Sequence, residues 1–177
     1  MDFHLTEEQE MVKSMSKKFS DEVVAPRAEE MDKTDETPYD IINKMAELGM
    51  MGIPFPEKYG GGGSDWVSQM LCTEEISRGE VTLAGLVDVT SIVGQELYVF
   101  GTEEQKQRWL IPIAQGREIG AFGLTEPNAG SDAGATQTTA ELDGNKWVIN
   151  GTKIFITNIA LDNANIVIIT ARSKRED

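Results

Sequence analysis

Two short stretches concentrate the side chains that can do chemistry. Residues 120–132 read Gly-Ala-Phe-Gly-Leu-Thr-Glu-Pro-Asn-Ala-Gly-Ser-Asp. They leave a predicted strand at Leu124 and crowd hydroxyls, glycines and an Asx residue into a turn. Free amides beside Gly130 and the small hydroxyls of Thr125 and Ser131 suit the polar edge of a ligand, or its pyrophosphate. Taken alone, the same residues read more readily as a plain connecting loop, since Gly-Ser-Asp turns are common. Residues 153–158 read Lys-Ile-Phe-Ile-Thr-Asn. An aromatic beside a hydroxyl at a strand end can stack on a planar ring and bond its edge. The other reading of that stretch is an ordinary strand with Phe155 in the core.

Other chemistries find little support. His4 is the single histidine and Cys72 the single cysteine, which removes a Ser-His triad, a histidine metal site and an intrachain disulfide. Cys72 sits among apolar residues of a predicted helix and reads as a small buried hydrophobe. Gly60 to Gly63 invites comparison with a phosphate loop, but Ser64-Asp65 follow where such a loop needs Lys-Ser/Thr. A flexible loop ending in a helix cap is the expectation there.

The 16 basic residues stand against 30 acidic ones, a net charge of −14. Nucleic acid is gripped through its phosphates by a basic face. The densest basic group, Arg172, Lys174 and Arg175, is followed at once by Glu176 and Asp177, so no nucleic-acid partner is expected. The start MDFHLTEEQE is polar and carries no signal-peptide pattern. No apolar run reads as long enough to span a bilayer. A cytoplasmic protein without membrane insertion is the expectation.

The elements that position the two stretches fall into two kinds. Residues 1–118 read as an all-α helical bundle. Thr6 to Gln9 and Thr102 to Gln105 are capping boxes. Met11, Val12, Met15, Phe19 and Val23 follow a helical stripe that Pro26 should disturb. Ile41, Ile42, Met45 and Leu48 make one face of a second helix, ended by Gly49. Trp66 to Arg78 reads as a third. Val81 to Phe100 is apolar nearly all round and is expected at the bundle centre, with Leu83, Leu86, Val87, Ile92 and Val93 innermost. Pro112 should end or kink the last helix. Residues 119–177 change to a period of two. Thr136 to Leu142 alternate, Asp143-Gly144 signals a hairpin, and Lys146 to Ile149 return. Lys153 to Thr157 and Asn165 to Ala171 read as further strands. The fold class expected is α+β, a helical bundle followed by an incomplete antiparallel β domain with an uncovered apolar face.

Taken together and in order, Phe122-Gly-Leu-Thr-Glu-Pro-Asn-Ala-Gly-Ser-Asp132, Asn150-Gly-Thr-Lys153 and Phe155-Ile-Thr-Asn158 resemble the flavin-binding signature of acyl-CoA dehydrogenases. Pro56-Glu-Lys-Tyr-Gly-Gly61, Glu74-Glu-Ile-Ser-Arg78 and Phe100-Gly-Thr-Glu-Glu-Gln-Lys106 resemble elements of that family's helical domain. The resemblance covers the whole chain.

That resemblance implies FAD as cofactor and α,β-dehydrogenation of an acyl-CoA thioester. Phe122, Leu124, Thr125, Gly130, Ser131, Phe155, Ile156 and Thr157 are the implied cofactor-binding residues. Within that set Thr125 bonds the pyrimidine edge, Phe155 lies against the ring, and Thr157 sits near flavin N5. Ser131 is also the implied substrate contact. The family's base is a glutamate of a C-terminal domain that these residues do not include. The chain is therefore expected to be an N-terminal part, inactive alone, with no catalytic residue of its own. Glu126 belongs to the turn that shapes the loop. An electron-transfer flavoprotein is the implied acceptor, and a homodimer or homotetramer the implied assembly. Two departures stand out. Phe155 occupies a place where many members have tryptophan, and Ile159-Ala160 follow Asn158 where glycines are common. Same-fold alternatives are an acyl-CoA oxidase, an enoyl-CoA reductase, a flavin monooxygenase, or a non-catalytic short homologue.

Overall fold

The computed structural model describes residues 4–173. Lys174 and Arg175 of the basic group therefore lie outside the described residues. Helix α1, Glu7–Phe19, starts as its capping box dictates: the Thr6 hydroxyl accepts the Gln9 amide at 3.2 Å, and the Gln9 side chain accepts the Thr6 amide at 3.0 Å. Pro26 does not stop the helical path. A π turn at Ser20–Val24 and a 3-10 turn at Ala25–Arg27 carry it into α2, Ala28–Thr34. A proline ring collides with the carbonyl four residues earlier. Widening the preceding turn moves that carbonyl, here of Glu22, out of the way. The same device precedes Pro112, where α6, Glu103–Gln105, passes through a π turn at Lys106–Leu110 into α7, Ile111–Ala114.

Helix α3, Tyr39–Glu47, ends at Gly49, whose φ of +72° is one that glycine adopts without strain. The Gly60–Gly63 loop is a folded connector. A Cβ on Gly61 would meet the Phe55 carbonyl oxygen at 2.1 Å, so side chains are excluded for packing reasons. Asp65 then caps α4, Trp66–Gly79, by accepting the Ser68 amide at 2.8 Å.

Helix α5, Val81–Phe100, joins two core clusters. Leu83 and Val87 face Ile42, Met45, Cys72 and Ile76, while Val93 faces Phe55, Leu110 and Ile113. The expectation that α5 is enclosed on every side needs correction. Ile92, expected at the centre, is 40% exposed, and Val81, Val99 and Phe100 are exposed too. α5 packs against α4 and β1, and also against the Lys106–Leu110 turn, α7 and the strand Ile166–Ile169, yet its surface at Ile92 stays open. The expectation about apolar runs is corrected likewise: α5 is long and apolar enough to cross a bilayer by length and composition. Its contacts with α4 and β1 are those of a core helix.

Strands β1, Gly120–Gly123, and β4, Ile166–Ile169, form one small sheet; β3, Lys146–Asn150, β2, Thr139–Asp143, and β5, Arg172–Ser173, form another. The β2–β3 hairpin is antiparallel as expected, closing through Gly144-Asn145 with Leu142 opposite Trp147. The other pairings are not. β1 pairs with β4 in parallel, and so does β2 with β5. A single run, 166–173, serves both sheets, and it reaches each one in the parallel sense. Lys153 to Thr157 is not a strand. Phe155 and Asn158 have φ of +57° and +72°, which a ladder cannot accommodate.

β1 runs close against α5. A Cβ on Gly120 would lie 2.6 Å from the Val93 Cβ, so glycine is what allows the strand to seat on the helix.

Candidate functional site

The loop leaving β1 is built around one carboxylate. Glu126 begins a tight turn over Pro127-Asn128, closed by its amide to the Ala129 carbonyl at 2.8 Å and the return bond at 3.1 Å. Its side chain turns inward. It accepts the Gln137 amide at 2.6 Å, the Thr138 amide at 2.9 Å and Lys153 Nζ at 2.9 Å. Hydrogen bonding from Thr138, then from Lys153 and the Gln137 amide, holds this carboxyl down at about 2. Glu126 is thus an organiser of the loop, as the sequence reading has it. A carboxylate this committed is a poor proton acceptor.

Lys153 completes the arrangement. Its Nζ donates to the Leu124 carbonyl at 2.9 Å, to Glu126 Oε1 at 2.9 Å and to the Thr170 hydroxyl at 3.0 Å. An ammonium has three protons, and all three are used. The ion pair is enclosed, with the Lys153 and Glu126 side chains 10% and 3% exposed. A backbone bond runs from the Ile154 amide to the Thr125 carbonyl at 2.9 Å. Asn158 anchors the far end of the strip through its side-chain amide, which donates to the Gly120 carbonyl at 2.9 Å and the Leu86 carbonyl at 3.3 Å. The two chemical stretches therefore lie side by side, clasped at both ends.

This geometry orients the peptide between Leu124 and Thr125. Among the described residues no peptide bond is cis, so the Thr125 N–H points opposite to the Leu124 carbonyl. That carbonyl is held by Lys153, and the Thr125 N–H consequently faces away from the clasp.

The expected site residues separate into groups. Leu124, Thr125 and Ile156 are half-buried along the two strips, and Thr157 is exposed. Phe155 is 88% exposed and held in the left-handed region. That conformation costs a non-glycine residue roughly 1–2 kcal/mol, and an exposed phenyl recovers none of it by burial. The core reading of Phe155 is therefore excluded. Phe122 lies partly buried against the second core cluster, with Leu97 and Ile111. Gly130 and Ser131 are exposed in the following loop. Among the described residues, no hydrogen bond joins that pair to the Phe155 strip.

Lys153 and Asn158 fall within the sequence motifs but are not among the site residues expected from them. The available signal was a lysine and an asparagine bracketing Ile-Phe-Ile-Thr. Thr170 carried no signal at all. A cavity of about 260 Å³ lies elsewhere, lined by Met31, Asp35, Pro38, Glu80, Leu83 and Leu161 among others. No expected site residue borders it, and the donors that suit a ligand belong to the two strips. Cys72 is buried, and burial pushes its thiol up, which leaves it a core residue.

The donor set has a definite chemistry. An exposed aromatic, half-buried aliphatics, two threonine hydroxyls and one outward amide suit a flat heteroaromatic ring with a polar edge. A flavin fits that description. The model of the acyl-CoA dehydrogenase N-terminal domain matches residues 6–117, and that of the middle domain matches residues 121–177. The chain is 48% identical to the short-chain specific acyl-CoA dehydrogenase of Clostridium acetobutylicum, over 98% of this chain and 46% of that one. It superposes on butyryl-CoA dehydrogenase of Megasphaera elsdenii with a TM-score of 0.90 at 37% identity, over 99% of this chain and 46% of that one. It also superposes on glutaryl-CoA dehydrogenase of Mycobacterium smegmatis in complex with FADH2, with a TM-score of 0.89 at 32% identity, over 96% of this chain and 44% of that one. The chain spans less than half the length of the curated relatives it matches. On the strength of both domain matches, this chain belongs to the acyl-CoA dehydrogenase family.

Proposed function

We propose that the two clasped strips hold the flavin of FAD in an enzyme that dehydrogenates an acyl-CoA thioester between its α and β carbons. The observation carrying this is the juxtaposition itself. Lys153 and the Ile154 amide bring Phe155 to Thr157 beside Leu124 and Thr125, although the strips are about thirty residues apart in the chain. In this reading Phe155 and Leu124 offer apolar surface to the ring. Thr125 bonds the pyrimidine edge, Thr157 bonds near N5, and Ile156 fixes the spacing between Phe155 and Thr157. Gly130 and Ser131 line the entry, with Ser131 toward the substrate. FAD, when bound, supplies the hydride acceptor.

The residues of this chain bind, orient and exclude water. The proton at the α-carbon needs a base of ordinary carboxylate strength beside a polarised thioester carbonyl. Glu126 is not that base, because three donors hold it as the anion and make it a weak proton acceptor. The base comes from outside the two strips. The family resemblance supports an electron-transfer flavoprotein as acceptor and a homo-oligomeric assembly. We place the boundary between the helical and strand units at residue 118.

The test uses the protein expressed from its whole reading frame. Titrating FAD while following flavin fluorescence should show saturable binding. The double substitution Phe155→Ala, Thr157→Ala should weaken it by about thirtyfold, two contacts of the order of 1 kcal/mol each being lost. Butyryl-CoA with an artificial acceptor should then be oxidised by the unsubstituted protein. FAD affinity unchanged in the double variant would overturn the assignment of the strips.

A further inference from the structure

We propose that Lys153 and Glu126 are positioning residues for the bound flavin, acting by fixing the direction in which the Leu124–Thr125 peptide presents its N–H. The inference rests on the flavin reading above and says how that site is held in shape.

Three observations carry it. Lys153 ties its own segment to two others, making three: the loop after β1, through the Leu124 carbonyl and Glu126, and the Thr170 hydroxyl after β4. Glu126 extends the tie to a fourth segment through the Gln137 and Thr138 amides. The assembly is enclosed, so its charges have no solvent to replace a lost partner.

The second observation concerns direction. With the Leu124 carbonyl held at 2.9 Å by Lys153, the Thr125 N–H faces the other way. The next carbonyl, of Thr125, is held by the Ile154 amide. The Glu126 N–H beyond it is spent on Ala129. Both carbonyls flanking Thr125 are thus turned into the protein. Thr125 is left as the point where the strip offers a donor outward. Without Lys153 the first of these peptides is free to rotate. The loop would then present a carbonyl lone pair where an acceptor atom of the ligand expects an N–H.

The third observation is that neither residue is placed to touch a ligand. Their hydrogen bonds run to one another, to backbone and to the Thr170 hydroxyl. A role in binding must therefore pass through Thr125 and the strip at Ile154. Indirect supports of this kind behind metal ligands cost about tenfold to a hundredfold in metal affinity or activity when removed, which sets the scale expected here.

The experiment compares the protein from its whole reading frame with Lys153→Met, Lys153→Arg and Glu126→Gln. Three quantities are read: FAD affinity, the visible spectrum and midpoint potential of bound flavin, and helical content on heating. We expect Lys153→Met to weaken FAD by about tenfold or more, with the flavin spectrum and potential shifted and the helical signal retained. Lys153→Arg, which keeps a charged donor, should recover part of the loss. The double variant Lys153→Met, Glu126→Gln should lose no more than the worse single one, since the two act as a unit. Bound flavin of unchanged affinity, spectrum and potential in Lys153→Met overturns the proposal while leaving the flavin site standing. Should Lys153→Met unfold the strand unit, Lys153→Arg and Glu126→Gln decide: an unmoved spectrum and potential in both overturns the proposal. Failure of the unsubstituted protein to bind FAD overturns the flavin reading itself, and this inference with it.

Discussion

The helical and strand regions are held together by different physics. From α1 to α5 the interior is mainly apolar, with Val24, Ile41, Met45, Ile76 and Val87 wholly buried around a few polar side chains such as Ser16 and Gln69. Beyond Ile119 burial fades. Every residue of β3 is exposed, and Trp147, paired with an equally exposed Leu142, is 59% accessible. What organises the strand region is polar: the Glu126–Lys153 pair, the Asn158 anchor and the backbone bonds between loops. Apolar burial is non-directional and fills space, whereas hydrogen bonds fix orientation. A region whose task is to aim amides and hydroxyls is well served by the second kind.

The comparison can be broken most sharply at its apolar end. Val87→Asp places an unpaired charge in the first core cluster, which should cost several kcal/mol. Loss of cooperative helical unfolding by circular dichroism is the expected result. A native melting curve would mean that α5 does not organise the bundle.

The seam between the regions comes next. Gly120→Ala pushes a methyl into Val93 where β1 meets α5, and should destabilise by about 1–3 kcal/mol as overpacking does. Chemical denaturation would read it. The companion change Val93→Ala removes the two Cγ atoms at 2.9 Å but leaves the Val93 Cβ at 2.6 Å, so most of the loss should persist.

A smaller effect belongs to acid. The Glu126 carboxyl is held at about 2 against an ordinary 4.5. A depressed folded value contributes stability that is fully present above about pH 4.5 and drains away as pH falls toward 2. Trp147 fluorescence should follow this loosening in the strand region. Glu126→Gln should flatten that limb of the profile, and an unchanged slope in the variant would remove Glu126 from the account.

The smallest effect concerns the hairpin. Trp147→Ser should change helical stability by less than about 0.5 kcal/mol, as surface changes do. It should also reduce self-association measured by light scattering, since exposed apolar strand edges invite pairing. A large loss of stability would show Trp147 to be core.

Much of this was legible in residue order because the deciding forces are local. Thr6 with Gln9 and Thr102 with Gln105 cap helices through contacts three residues apart. The Asp143-Gly144 signal gave the hairpin. The motif strips at Phe122–Asp132 and Phe155–Asn158 could be read because their residue types repeat a known pattern. What escaped was set by distant partners. Lys153 and Glu126 are 27 residues apart, and no periodicity joins them. Their pairing, with the positive φ of Phe155 and Asn158, turned an apolar strand pattern at Lys153–Thr157 into a clasped loop. Ile92 looked central because composition reports how apolar a helix is, and packing alone reports which flank is covered. Parallel pairing depends on the path of residues 166–173, which local signals do not encode.

That path has a dynamic consequence. β4 pairs with β1, and after Thr170 bonds the Gly123 carbonyl, Arg172 bonds the Thr138 carbonyl and β5 pairs with β2. One continuous run is thus the outer partner of both sheets, so neither can release it without straining the other. Amide protons of Thr170 and Arg172 should therefore exchange with solvent through a shared opening event, at matching rates. The β2–β3 turn, which that run does not touch, should exchange faster and independently.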